Sequence, residues 1–89
     1  MAWKIEFDPA ALKELKKFEK PVEKRILRFL RERVEKLDDP RQVGARLQGT
    51  MSRLWKYRVG DYRLICSLED DRPVVLALRI GHRREVYKR

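Results

Sequence analysis

The stretch LWKYRVGDYRLI, Leu54 to Ile65, decides how this chain folds. Gly60-Asp61 stands between two runs rich in aromatic and branched residues, and a Gly-X pair in that setting predicts a two-residue type II′ hairpin turn. Such a turn pairs Val59 with Tyr62, Arg58 with Arg63 and Lys56 with Ile65. Side chains alternate along a strand, so Trp55, Tyr57 and Val59 share one face with Tyr62, Leu64 and Cys66. Lys56, Arg58 and Arg63 gather on the other. Like charges directly opposite one another destabilise a sheet. Setting Arg58 against Arg63, with Lys56 alongside, is a conflict that a function has to explain.

On the N-terminal side of the hairpin, WKIEF (Trp3–Phe7) alternates and predicts a first strand. Asp8-Pro9 supplies an N-cap followed by a proline in the first helical position. Ala11, Leu12, Leu15 and Phe18 then mark one face of a short helix. Pro21 opens a second helix with Val22, Ile26, Phe29, Leu30, Val34 and Leu37 at helical spacing, and Asp38-Asp39-Pro40 stops it. These apolar stripes are core contacts and carry no functional signal. Residues 40–52 form a loop with a short extended piece at ARLQG. After the hairpin come an acidic turn, EDDRP, a buried strand, VVLALRI (Val74–Ile80), and a short extended segment, GHRREVYKR. The order β-α-α-β-β-β predicts a single α+β domain over residues 1–89, an antiparallel, twisted β-sheet with two N-terminal helices packed on one face.

Composition narrows the partners. The formal net charge is +9 and the sequence pI about 10.1, which points to a polyanion or an acidic protein. Residues 1–44 carry 12 basic and 9 acidic side chains, residues 45–89 carry 11 and 5, so the excess is concentrated in the half that holds the hairpin. A mixed-charge solvated surface accounts for the first half and not for the second. Cys66 is the single cysteine, which excludes an intrachain disulfide; on the apolar face of its strand it fills space. One histidine and one cysteine make no metal-ligand cluster. No leader or membrane-spanning run is present, so a cytoplasmic protein is expected, with no cofactor and no metal.

The open face of the sheet is expected to carry Lys56, Arg58 and Arg63, with Arg79 nearby and the basic tail adjoining, and such a cationic face fits phosphate. Arginine offers a planar fork of donors matched to phosphate oxygens, and lysine adds a compact charge. Cleaving RNA without metal needs a base for the ribose 2′-OH, cations for the phosphorane and an acid for the leaving 5′-oxygen. The face has no carboxylate pair, and His82, just after Gly81, reads as a structural loop residue. Tyr87 is the remaining candidate base: a free phenol titrates near pH ~10, and Arg83, Arg84 and Lys88 around it favour phenolate. The alternative for Tyr87 is packing on the sheet edge, and for the hairpin cations a plain solvated face. Trp55 and Tyr57 have core parity and are not read as base-stacking platforms. Arg46 and Arg53, with exposed helix cations, are candidates for further nucleic-acid contacts on charge alone.

The succession FDPAALKELKKF, RLQG, LWKYRVGDYRLI and GHRREVY, in this order and over nearly the whole length, resembles the RelE branch of the RelE/ParE toxin superfamily. The resemblance implies an antiparallel sheet with two N-terminal helices. It implies a toxin of a type II toxin–antitoxin pair that cuts mRNA in the ribosomal A site, without metal, leaving a 2′,3′-cyclic phosphate. The partners it implies are mRNA, the ribosome and its rRNA, and a cognate acidic, RelB-like antitoxin; operator DNA is met only through the antitoxin complex, and no membrane is involved. Carried over by position, Lys56 and Arg58 supply phosphate contacts, Arg63 transition-state stabilisation, Arg83 leaving-group assistance and Tyr87 the general base. On charge alone, and not by carry-over, Arg84 and Arg46 are expected to add phosphate or ribosomal RNA binding. Arg58 stands where some members have lysine, and arginine is the poorer proton acceptor, which moves the base role toward Tyr87. The chain ends two residues after Tyr87, so the C-terminal helix of some relatives is not expected. Two other functions compete: the ParE-like branch, which poisons DNA gyrase, and a non-catalytic module that acts only as a corepressor with its antitoxin.

Overall fold

The computed structural model describes residues 3–49 and 53–82. Five strands form one sheet: β1 (Lys4–Phe7), β2 (Ala45–Arg46), β3 (Leu54–Val59), β4 (Tyr62–Glu69) and β5 (Val74–His82), in the spatial order β1-β5-β4-β3-β2. Two helices, α1 (Pro9–Lys17) and α2 (Lys20–Phe29), follow β1.

The hairpin has the register its turn dictates, with Val59 opposite Tyr62, Arg58 opposite Arg63 and Lys56 opposite Ile65. Gly60 has φ +61°, and among the described residues no non-glycine has positive φ. A positive φ at Gly60 but not at Asp61 is the signature of type II′ and excludes type I′.

Local rules also place the helices. The Asp8 carboxylate accepts from the Ala10 N–H at 3.0 Å, and Pro9 opens the first turn of α1. Ala11 and Leu15 are buried against the sheet. α2 runs on into a wider π-type turn over Leu30–Val34, in which the Glu35 N–H bonds to the Leu30 carbonyl at 2.8 Å. Ile26, Leu30 and Val34 are spaced four apart, slightly more than one α-helical turn. The wider turn takes up the excess and keeps all three on the core face, where they are at most 2% exposed. After Asp38-Asp39 the chain makes a 3₁₀ turn at Pro40–Gln42, capped by Asp39, whose Oδ1 accepts the Arg41 N–H at 3.0 Å.

The core lies between the sheet and the two helices. Tyr57, Val59, Leu64, Cys66, Val75, Ala77 and Ile80 from the strands meet Ala11, Leu15, Ile26, Leu30 and Val34 from the helical side. Buried Tyr57 donates its hydroxyl to the Pro40 carbonyl at 2.9 Å, which locks the 39–43 loop to the sheet. Trp3 belongs to the same core and donates its indole N–H to the Asp38 carbonyl at 3.0 Å.

The structure corrects several expectations. β2 to β5 form the antiparallel sheet, but β1 joins it parallel to β5, Lys4 opposite Val74 through Phe7 opposite Ala77. The sheet is therefore mixed: the helices and strands between β1 and β5 form a crossover, which a parallel pair requires. A bulge at Ile65/Cys66 leaves Leu78 without a partner on β4, since Ile65 faces Arg79 and Cys66 faces Ala77. Trp55 is half-buried and outside the main core. Its ring is covered by Arg41 and Arg46 at 5.8 and 5.4 Å. His82 belongs to β5, not to a loop, and meets Tyr62 edge-on at 5.9 Å.

Candidate phosphate-binding site

Lys56 and Arg58 leave β3 on the side away from the helices, and Arg63 leaves β4 on the same side. All three line a cavity of about 280 Å³ whose far wall is Val43, Gly44 and Ala45. The wall stands close because Gly44 has no side chain: a Cβ there would lie 2.9 Å from Cε1 of Tyr57. Among the described residues, no carboxylate lines the cavity.

Arg58 is exposed, and Arg63, its Cα partner, is half-buried. The repulsion between them is partly relieved by the turn. Nη1 of Arg63 donates to the Gly60 and Tyr62 carbonyls, at 3.0 and 3.1 Å. A guanidinium has five N–H donors, so three remain for a ligand. Together the cations can hold a phosphate and stabilise added negative charge on it. Among the described residues no cluster of His, Cys, Asp or Glu could hold a metal ion.

The remaining expected site residues divide. Arg46 pairs with Trp55, one register position away from the Ala45–Lys56 pair, and so points to the opposite side of the sheet, where it stacks on the indole. It does not join the cavity. Arg79 is drawn off by Glu14: its Nε and Nη2 donate to that carboxylate at 3.1 to 3.3 Å, while the Ile80 N–H donates to Glu14 Oε1 at 2.8 Å. Glu14 thus covers the edge of β5 beyond the end of β1. Arg83, Arg84 and Tyr87 lie outside the described residues. The face is also less uniformly polar than expected, since Leu47 and Leu54 pack over Ile65 next to the cations.

Three contributors were not singled out from the sequence. Arg41 donates to Asp70 at 2.9 and 3.2 Å and to Asp39 at 3.1 Å, and lies 5.8 Å from the centres of both Trp3 and Trp55. The hydrogen bond to Asp70 is the main influence raising its pKa. Glu14 orders α1 on β5, and Arg25 lies over Gly60. Each partner is distant in sequence, and no local pattern announces it. Burial pushes the Cys66 thiol up to about 12, which removes it as a nucleophile.

Two helices on a five-stranded mixed sheet, with Lys56, Arg58 and Arg63 gathered on its open face, define a small α+β domain with a candidate anion site. Residues 5–87 match the family described as ParE toxin of type II toxin–antitoxin system. The chain is 34% identical over 91 residues to the mRNA interferase toxin RelE of Escherichia coli K12, covering 98% of this chain and 92% of that one. It is 33% identical over 51 residues to toxin RelG of Mycobacterium tuberculosis, and that match spans 57% of this chain and only 59% of the relative. A solved structure of an E. coli RelE variant in complex with a peptide of the antitoxin RelB aligns at TM-score 0.71 and 31% identity, covering 100% of this chain and 98% of that one. This chain belongs to the RelE/ParE superfamily and is a RelE-type toxin of a type II toxin–antitoxin system.

Proposed function

We propose that this toxin is an endoribonuclease that cuts mRNA in the ribosomal A site. The observation that carries the reading is the meeting of Lys56, Arg58 and Arg63 in one cavity. The E. coli relative named an mRNA interferase supports it. Tyr87 takes the proton of the ribose 2′-OH, and the 2′-oxygen attacks the adjacent phosphorus. Lys56, Arg58 and Arg63 neutralise the phosphorane as the bond to the 5′-oxygen breaks. Arg83 assists the departing 5′-oxygen, which takes a proton from water as the 2′,3′-cyclic phosphate forms, and Tyr87 returns its proton to solvent. The side-chain cations supply the charge a metal would otherwise bring. Tyrosine and arginine lie far from neutral pKa values, so orientation of the mRNA by the ribosome has to supply much of the rate.

The partner in unstressed cells is an acidic, RelB-like antitoxin that folds on the cationic surface, by analogy with the RelE–RelB peptide complex. Operator DNA is reached through that complex. No described helix is long and apolar enough to cross a membrane, and the ribosomal substrate places the toxin in the cytoplasm.

The ParE description of the matching family favours one second reading, a gyrase poison. Purified toxin, freed from its co-expressed antitoxin, is to be incubated with programmed ribosomes, with bare transcript and with gyrase. Cleavage of ribosome-bound mRNA that persists in chelator, with negligible cutting of bare RNA, is the expected result. Gyrase inhibition without cleavage would replace the nuclease reading.

A further inference from the structure

Two groups of cations stand apart among the described residues. Lys20, Arg41, Arg72 and Arg79 each lie within 4 Å of a carboxylate. Arg25, Arg28, Arg33 and Arg58 are exposed and have no ion pair among the described residues. Those four line a second, open cavity of about 380 Å³, with Glu32 its one carboxylate among the described residues. Arg25 and Arg28 are three apart on α2, hence neighbours on one helix face. Four guanidiniums around one carboxylate repel one another in the free protein, and an anion set among them removes the conflict.

This cavity borders the hairpin cavity. Arg58 lines both. Gly60 is the second link: Arg25 lies over it so closely that a Cβ would be 3.1 Å from Nη1, while Arg63 donates to the Gly60 carbonyl. The cationic surface therefore runs from Lys56 and Arg63, through Arg58, to Arg25, Arg28 and Arg33. A single phosphate would fill one cavity only. A chain of phosphates fits both.

We infer that the α2 arginines bind the sugar–phosphate backbone of the same RNA strand whose scissile phosphate occupies the hairpin cavity, and so extend the substrate site by flanking nucleotides. The inference rests on the reading of the hairpin as an RNA site. Gly60 leaves the turn low enough for the strand to pass from one cavity to the other.

Binding of labelled single-stranded RNA, ~3 and ~10 nucleotides long, measured against salt by fluorescence anisotropy, tests it. The longer RNA binds the wild-type protein more tightly and with the steeper salt dependence. In Arg25→Gln/Arg28→Gln/Arg33→Gln that advantage disappears and the salt slope falls by about 0.7 for each phosphate no longer neutralised, roughly 2 in all, while the short RNA binds as before. The corresponding triple lysine variant keeps the slope, which separates lost charge from lost fold. Arg63→Gln weakens both RNAs. Retention of the length advantage in the triple glutamine variant overturns the inference. So does a loss of affinity in that variant confined to ribosomes carrying no mRNA, which would assign the surface to ribosomal RNA. Wild-type cleavage on ribosomes with no length dependence overturns the inference and leaves the nuclease reading intact. Length-dependent binding without cleavage does the reverse.

Discussion

Arg58 and Arg63 are direct cross-strand partners, yet Arg63 turns its guanidinium back onto the carbonyls of Gly60 and Tyr62. The like-charge conflict inherent in the hairpin is thus reduced by the turn that creates it. Replacing Arg63 with glutamine removes the remaining repulsion, an effect of a few tenths of a kcal/mol, and weakens hydrogen bonds of similar net value. The melting temperature is therefore expected to correspond to a stability within about 0.5 kcal/mol of wild type. Cleavage on programmed ribosomes falls by about 10²-fold or more, as when one transition-state interaction is removed. Tyr87→Phe gives the same division between stability and rate. A marked drop in melting temperature for Arg63→Gln, with cleavage unchanged, would make the arginine structural.

Arg41 holds together parts of the chain that no regular element connects, with Asp39 and Asp70 as ion partners and Trp3 and Trp55 on its faces. Exposed ion pairs contribute little, about 0–1 kcal/mol, and each cation–π contact adds about 0.5–1. Arg41→Met should cost about 1–2 kcal/mol, and a thermal melt would show a fall of roughly 4–8 °C per kcal/mol in a domain of this size. Lysine should restore only part of the loss, since it lacks the planar fork that reaches two carboxylates and two rings. Full rescue by lysine would show that charge alone matters.

Gly60→Ala is expected to destabilise by about 1 kcal/mol or more, because φ of +61° is costly for a residue with a Cβ. The new Cβ also meets the Arg25 guanidinium, but that is the end of a flexible side chain and can move. A double-mutant cycle with Arg25→Ala separates the two effects. The cost should persist when Arg25 is shortened; its disappearance would locate the strain in the contact and not in the backbone.

Alkaline pH should unfold this protein. Burial raises Cys66 from 9.0 to about 12 and also raises Tyr57, whose hydroxyl is tied to the Pro40 carbonyl. Both groups hold their protons more tightly folded than unfolded, so their contribution is complete below about pH 9 and declines as pH rises toward the folded values. Each group, once titrating only in the unfolded chain, removes about 1.4 kcal/mol per pH unit. Melts between pH ~8 and ~11 should show stability falling above about 9, with a shallower fall in Cys66→Ala. Maleimide should label Cys66 in denaturant and not in the native protein. Rapid native labelling would contradict its burial.

Much of the arrangement of the hairpin cations was legible in the order of residues alone. Gly60-Asp61 sets the turn, the turn sets the register, and alternation puts Lys56, Arg58 and Arg63 on one face; each step spans only a few residues. The Asp8-Pro9 cap and the 26–30–34 stripe are local in the same sense, and they place both helices on the apolar side. What the tertiary structure decided is the company those residues keep. β1 pairs with a strand 70 residues away in register, parallel and not antiparallel. Glu14 takes Arg79 from the open face, Arg46 goes to Trp55 on the opposite side, and Val43–Ala45 wall the cavity. Arg25 arrives over Gly60 from a helix 35 positions earlier, joining the α2 cations to the hairpin. None of these contacts follows from a periodicity or a turn type. They depend on how the whole core packs, because only burying α1 and α2 together against the twisted sheet brings such distant side chains within hydrogen-bonding or van der Waals reach.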